Sequence, residues 1–255
     1  MQDQAAPPTE AFSRGFRLAG AAVHLYTASG SVLGLLIVLA AIEGEAVTAL
    51  WLVLATLFVD GTDGMLARRF RVKETIPWFD GARMDDIVDY LTYVFAAVVL
   101  LWTTDRLPDG AWGWLLAALP LLASCYQFCR VDAKTDDHYF LGFPSYWNVV
   151  AFYVIVLDIG PTGVGITLAI LTVLVFVPVK YVYPSRTKLL RGLNLGLSAV
   201  WLISSAVLLV EYPDPHPLVV VLSLAYLVYY FGVSIWLTVA GTRRRPASEA
   251  VESAA

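Results

Sequence analysis

Long apolar stretches alternate along this chain with short segments that hold most of its charged residues. Each stretch is roughly 20 residues long, the length that a helix needs to cross about 30 Å of hydrocarbon. The pattern predicts membrane-spanning helices at residues 25–42, 46–69, 84–104, 112–130, 145–159, 162–181, 193–211 and 217–240. We therefore expect an all-α polytopic membrane protein with one compact bundle of about eight transmembrane helices.

The composition supports a membrane location. Of the 255 residues, 58% are hydrophobic and 15% are charged, whereas soluble domains carry about 25% charged residues. The net charge of −4 does not indicate a surface that attracts polyanions. No nucleic-acid partner is expected.

The distribution of Lys and Arg predicts the orientation of the helices. With eight spans, all but Arg106 of the 17 Lys and Arg residues fall on one side of the membrane. The positive-inside rule makes that side cytoplasmic. The short stretch 145–159 is needed for this pattern, because the later cations would otherwise lie outside. Both termini and the loop between the second and third helices are predicted to be cytoplasmic.

Three regions are predicted along the chain. Residues 25–240 form the transmembrane domain. In residues 1–24, aromatic residues and a leucine alternate with arginines, which predicts a short amphipathic helix in the membrane interface; a disordered tail is the alternative. Residues 241–255 are rich in Arg, then in Ala, Ser and Glu, and are predicted to be a solvated cytoplasmic tail.

Four aspartates lie at the ends of two neighbouring predicted helices. Asp60 and Asp63 are three residues apart and share one face of the second helix. Asp85 and Asp89 are four residues apart and share one face of the third, whereas Asp86 is turned about 100° away. Ionisable groups in membrane helices are costly and are usually functional. If the two helices are antiparallel neighbours, four carboxylates meet near the cytoplasmic interface.

Carboxylates this close together need cations between them. Hard oxygen ligands suit Mg²⁺ or Mn²⁺, and four carboxylates can hold two ions about 3.5 to 4 Å apart. Two divalent ions are therefore predicted here. The predicted ligands are Asp60, Asp63, Asp85 and Asp89. In the alternative interpretation, the aspartates only cap helix ends and pair with nearby Arg and Lys side chains.

The spacing of these residues resembles the signature of the CDP-alcohol phosphotransferase family, Asp-x-x-Asp-Gly-x-x-Ala-Arg followed by Gly-x-x-x-Asp-x-x-x-Asp. The matching residues are Asp60, Asp63, Gly64, Ala67, Arg68, Gly81, Asp85 and Asp89. The segment between Arg68 and Gly81 is longer than in many members. This long loop, the eight predicted spans, and segments such as 24–30 and 142–148 resemble the bacterial phosphatidylcholine synthase branch.

The resemblance implies transfer of the phosphatidyl group of CDP-diacylglycerol to choline, with release of CMP, in the bacterial inner membrane. It implies that Asp60, Asp63 and Asp85 hold the metals. Asp89 would contact a metal and take the proton of the acceptor. The implied CDP-binding residues are Asp60, Asp63, Gly64, Ala67, Arg68 and Gly81. The expected partners are CDP-diacylglycerol, choline and the surrounding membrane lipids, with the active site facing the cytoplasm.

The spacing of the aspartates does not name the acceptor, because serine, glycerol 3-phosphate and inositol phosphate serve the same chemistry elsewhere in the family. A quaternary ammonium is best held by aromatic faces, and aromatic residues are plentiful near the cytoplasmic helix ends. The predicted choline-binding residues are Tyr26, Trp78, Tyr90, Tyr93, Tyr146, Trp147 and Tyr183. Such residues also form interfacial belts, which is the alternative role for each.

A transporter with a carboxylate site is a second class of function. Its site would lie near the membrane midplane between repeated halves, whereas these aspartates lie near one face, beside a cationic loop, and the sequence shows no internal repeat. Small residues such as Gly192, Gly196 and Ser198 permit close helix packing, which is compatible with a homodimer.

Overall fold

The computed structural model describes residues 12–135, 137–187 and 190–243, with side chains as far as residue 240. The α-helices in this part of the chain are α1 (Arg14–Ile42), α2 (Ala46–Arg69), α3 (Val72–Thr75), α4 (Gly81–Asp89), α5 (Ala96–Thr103), α6 (Ala111–Cys129), α7 (Trp147–Val156), α8 (Pro161–Phe176), α9 (Arg191–Val210) and α10 (Pro217–Arg243). A π-helical segment, Tyr90–Phe95, joins α4 to α5. The strands are β1 (Tyr139–Leu141) and β2 (Lys180–Val182).

Five of the described helices are long and apolar enough to cross a membrane. They are α1, α2, α6, α9 and the Pro217–Ala240 part of α10. Helices α7 and α8 are also apolar, but have only 10 and 16 residues. The prediction of an all-α, multi-pass membrane protein is confirmed at this level, while the count of eight spans stays a prediction.

Helix α1 begins earlier than hydropathy predicts. It starts at Arg14 rather than at residue 25, and the backbone N–H of Phe16 donates to the side chain of Ser13 at its N-terminus. Residues 14–24 of the predicted N-terminal segment therefore form the first part of α1. Its predicted place in the interface stays a prediction, and residues 1–11 and 244–255 lie outside the described residues.

The predicted third and sixth spans also differ in their bounds. The stretch 84–104 is observed as α4, the π-helical segment and α5, and it begins at Gly81 because the side chain of Asp80 accepts a hydrogen bond from the Arg83 N–H at 3.0 Å. Helix α8 ends at Phe176, since the chain then turns into β2.

Helix α7 forms part of the hydrophobic core of the bundle. It is apolar on all sides, and most of its residues are buried, as expected of a helix inside a core. Trp147 at its start is fully buried. The indole N–H of Trp147 donates to Ser124 of α6 at 2.8 Å, and Ser124 donates in turn to Ser145 at 2.9 Å. These bonds satisfy the indole N–H of Trp147 and link the hydroxyl groups of Ser124 and Ser145.

A small antiparallel sheet lies where α6 and α8 end. Strands β1 and β2 pair with Phe140 opposite Tyr181. Gly142 follows β1 with a φ of +82°, and a β-carbon at this position would collide with the carbonyl oxygen of Val175. Position 142 therefore requires glycine for its backbone conformation and for the close approach of α8.

The substitution Gly142→Ala is expected to lower the free energy of unfolding by more than about 1 kcal/mol, because a left-handed conformation alone costs an L-residue about 1–2 kcal/mol. The measurement is the thermal unfolding midpoint of the detergent-solubilised protein. Gly232→Ala in α10 is the matched control, since a β-carbon there meets nothing within 4 Å and alanine favours a helix. Equal midpoints for Gly142→Ala and wild type would contradict the expectation.

Candidate active site

Three carboxylates from α2 and α4 converge at one point. The ligand oxygens of Asp60, Asp85 and Asp89 all lie within 4.8 Å of one another. Asp63 lies outside this set of three, but it is buried and lines a small cavity of about 10 Å³ together with them. The structure therefore places all four of the predicted aspartates beside one cavity.

The start of α4 is held close to α1, and this contact fixes where the carboxylates of α4 lie along the bundle. A β-carbon at Gly81 would come within 2.5 Å of the ring of His24, so a larger residue would push the two helices apart. Because α1 also packs along α2, it serves as a common support for both helices. Asp85 and Asp89 then follow about one and two turns after Gly81.

The π-helical segment begins directly after Asp89. Such segments are rare and often occur at functional sites. Tyr93 lies within it, is 3% exposed, and donates a hydrogen bond of 2.5 Å to the carboxylate of Asp60. A hydrogen bond to a charged group contributes about 1.5–3 kcal/mol. The bond therefore joins α2 to the π-helical segment and orients one of the converging carboxylates, a contact that sequence analysis did not predict.

The donor set suits a hard divalent cation. The small cavity is lined by the four aspartates and by Thr27, Thr56 and Thr92, and none of its described lining residues is basic. Carboxylate oxygens at this density favour Mg²⁺ or Mn²⁺, and Mg²⁺ commonly keeps several waters, so a complete protein cage is not needed. The residues present therefore fit the metal that the signature implies.

Asp86 is outside the set of convergent carboxylates and has a partner of its own. Its carboxylate lies 3.2 Å from the ammonium of Lys134, which follows α6. Burial disfavours the charge of Lys134, but Asp86, Tyr183 and Asp85 favour it more strongly, so the pKa of Lys134 is raised above its ordinary value. A charged lysine is thus held at the edge of the carboxylate cluster.

A large cavity of about 630 Å³ adjoins the carboxylates and extends into the bundle. Asp60, Asp85 and Asp89 lie in its lining, while the rest is mostly apolar. Lys134 is the one basic residue among its described lining residues. Ligand pockets typically have volumes of about 300–1,000 Å³, apolar walls and a few convergent polar groups. The cavity therefore has the size and lining of a binding site for a lipid-like substrate.

Three of the predicted choline-binding residues line this cavity. Tyr93 and Tyr146 are neighbours with ring centroids 5.9 Å apart. Tyr183, directly after β2, is the third. The structure thus brings these three aromatic side chains to the same space as the carboxylates.

The other four predicted aromatic residues do not belong to the described lining of the cavity. Trp147 is buried in the core. The hydroxyl of Tyr90 donates to a backbone carbonyl of α6 at 3.3 Å, and Tyr26 shares a hydrogen bond of 2.8 Å with a threonine of α2. Trp78 is 83% exposed. Their positions follow from tertiary packing that hydropathy does not reveal.

The remaining residues of the predicted CDP site lie near the end of α2. Gly64 lines the large cavity, Ala67 is half-buried and Arg68 is exposed. Arg186 and Arg191 are near enough to act electrostatically on Arg68. These three arginines therefore form a cationic group near the end of α2, but none of them belongs to the described lining of the cavity.

Aromatic residues of α9 and α10 also line the cavity, and sequence analysis did not select them. They include Trp201, Tyr226 and Tyr230. In the sequence they resemble ordinary interfacial aromatic residues, and they are more than 100 positions from the aspartates. Only the folded arrangement reveals their position.

The sequence profile of the CDP-alcohol phosphatidyltransferase family matches residues 24–179. This match spans more than half of the chain and contains all four aspartates. The chain belongs to this family. The CDP-alcohol phosphatidyltransferase signature inferred from the aspartate spacing is thus confirmed.

Relatives agree over most of the chain. A phosphatidylcholine synthase of Pseudomonas aeruginosa is 41% identical over 215 residues, covering 84% of this chain and 90% of that protein. One of Legionella pneumophila is 40% identical over 222 residues, covering 85% and 87%. One of Rhizobium meliloti is 34% identical over 217 residues, covering 85% and 90%. The predicted resemblance to that branch is confirmed.

Asp85→Asn is expected to abolish the rise in unfolding temperature that Mn²⁺ produces, because the variant loses one of three convergent ligands. The neighbouring variant Asp86→Asn is the control, since Asp86 pairs with Lys134, and it should keep that rise. The measurement is the unfolding midpoint of the purified protein over a Mn²⁺ titration. Equal loss in both variants would argue against the metal site.

Proposed function

We propose that this protein is a phosphatidylcholine synthase that transfers the phosphatidyl group of CDP-diacylglycerol to choline and releases CMP. The observation that carries the proposal is the set of three carboxylates within 4.8 Å of one another beside a cavity of about 630 Å³. The identity of 34–41% to phosphatidylcholine synthases supports choline as the acceptor.

Asp89 is the proposed general base. The hydroxyl of choline is a poor nucleophile until it loses its proton, and a carboxylate within about 3 Å can accept that proton. Asp89 lines both the small and the large cavity, so its carboxylate can serve the metal site and the substrate space. The choline oxygen attacks the phosphorus that carries diacylglycerol, and the bond from that phosphorus to CMP breaks.

Asp60, Asp63 and Asp85, with Asp89 as a further ligand, are proposed to hold two ions of Mn²⁺ or Mg²⁺. Divalent ions held by these residues would neutralise the pyrophosphate and stabilise CMP as the leaving group. The Tyr93 hydroxyl orients the Asp60 carboxylate through its 2.5 Å bond. The proposed CDP-binding residues are Asp60, Asp63, Gly64, Ala67, Arg68 and Gly81.

The proposed topology has eight spans, cytoplasmic termini and a cytoplasmic active site in the bacterial inner membrane. The π-helical segment supports a single span built from α4 and α5, because it makes them continuous. Arg106 pairs with Asp158 at 2.6 Å in the loops after α5 and α7, which is compatible with both loops lying on the outer side. The interfacial helix, the solvated tail, lipid contacts and a homodimer remain part of this proposal.

The purified protein is expected to release CMP from CDP-diacylglycerol in the presence of Mn²⁺ and choline, and less readily with serine, glycerol 3-phosphate or inositol phosphate. Asp89→Asn should reduce the choline-dependent rate by at least about 100-fold, the usual range for loss of a general base. Preference for another acceptor would discard the choline assignment. Absence of metal-dependent CMP release with every acceptor would reject the enzymatic proposal.

The topology predicts that residue 78 faces the cytoplasm and residue 109 faces the outside. Both positions are exposed, so Trp78→Cys and Asp109→Cys can be made separately in a Cys125→Ser, Cys129→Ser background. In cells with a permeable outer membrane, an impermeant maleimide should label position 109 alone. After disruption of the inner membrane it should label both. Labelling of position 78 before disruption would contradict the proposed orientation.

A further inference from the structure

We propose that α9 and α10 complete the choline site, with the ring of Tyr230 forming a face of an aromatic cage for the trimethylammonium group. The inference rests on the proposed function and deepens it. The family profile ends at residue 179, before either helix begins. Residues of both helices nevertheless line the large cavity that the carboxylates share.

A series of neighbouring aromatic rings extends from the carboxylates to α10. Tyr93 bonds to Asp60, and its ring centroid lies 5.9 Å from that of Tyr146. The Tyr146 and Tyr230 centroids are 6.3 Å apart, as are those of Tyr230 and Tyr226. All four tyrosines line the cavity. Tyr93 is thus the ring nearest the carboxylates, Tyr146 is the second in the series and Tyr230 is the third.

The phenol groups of α10 are held in place by bonds to other elements. The hydroxyl of Tyr230 donates to the carbonyl of Val182 in β2 at 3.1 Å. The hydroxyl of Tyr226 shares a hydrogen bond of 2.8 Å with Ser198 of α9. Both hydroxyl groups are therefore engaged within the protein, so these residues present to a ligand only the ring surface that borders the cavity. This suits a quaternary ammonium, which cannot donate a hydrogen bond and is attracted to aromatic faces.

The dimensions of choline limit where the cage can lie. Only two carbons separate its hydroxyl from its nitrogen, so the cage must adjoin the proposed base, Asp89. Tyr93 follows Asp89 by about one helical turn, and Tyr146 and Tyr230 come next in the ring series. Bound divalent ions would neutralise much of the carboxylate charge, which leaves the aromatic faces to recognise the ammonium.

The same lining disfavours anionic acceptors. A carboxylate or phosphate group needs basic side chains or several hydrogen-bond donors. Lys134 is the one basic residue in the described lining, and it is paired with Asp86 at 3.2 Å. Glycerol 3-phosphate, inositol phosphate and the carboxylate of serine would find little charge compensation beside the three tyrosines. A methylated cation has no such requirement.

Tyr230→Leu is expected to raise the KM for choline about tenfold or more, the effect of losing a desolvated cation–π contact, and to leave the KM for CDP-diacylglycerol within about twofold. Tyr230→Phe keeps the ring and should keep most of the choline affinity. The neutral isostere 3,3-dimethylbutan-1-ol is a second acceptor. Wild type should favour choline over this alcohol, and Tyr230→Leu should lose much of that preference.

Tyr229→Leu is the matched control on the same helix. Tyr229 bonds to Asn194 at 2.7 Å and is not among the described residues that line the cavity, so its loss should leave the choline preference unchanged. If Tyr230→Leu does not fold, Tyr226→Leu tests the same wall, with a smaller rise in KM expected.

Two results would contradict the proposal that Tyr230 forms part of an aromatic cage for choline. A rise in the KM for CDP-diacylglycerol alone would assign this wall to an acyl chain, and an equal effect in Tyr229→Leu would make the role of Tyr230 structural. Both results require a wild-type protein that releases CMP in response to choline. Failure of the wild-type reaction itself would instead reject the proposed function.

Discussion

The central constraint on this molecule is the placement of several carboxylates within an otherwise apolar bundle. Asp60, Asp85 and Asp89 lie within 4.8 Å of one another, where like charges repel strongly. The surrounding structure serves this cluster: α1 supports both helices that carry it, and the hydroxyl of Tyr93 donates to one carboxylate. Because carboxylates at this density remain ionised only with cations beside them, the fold is matched to a ligand that brings positive charge.

Local spacing accounts for how much of the site could be predicted. Residues three or four apart on a helix share a face whatever the tertiary structure, so the aspartate pairs followed directly from the sequence. Hydropathy likewise indicated the long apolar helices, although not the N-terminal extension of α1. No pattern in the sequence indicates the π-helical segment or the bond from Tyr93 to Asp60. Both depend on contacts between elements that are distant in sequence.

The aromatic residues illustrate the same limit. Selection by proximity to the cytoplasmic helix ends included Trp147, which the fold buries in its core, and omitted Tyr230, which lines the large cavity. In the sequence both resemble members of an interfacial belt. Both rings are buried, at 0% and 7% exposed. What separates them is whether the ring borders the cavity, and periodicity within one helix contains no information about that.

The walls of the large cavity come from two parts of the chain. The carboxylates lie within the segment that the family profile matches, whereas much of the facing wall comes from helices beyond residue 179. Mutations in the C-terminal pair can therefore reshape one end of the cavity without displacing a carboxylate. If the proposed acceptor site includes these helices, substitutions in them would change the choice of alcohol while the carboxylates that serve phosphoryl transfer stay in place.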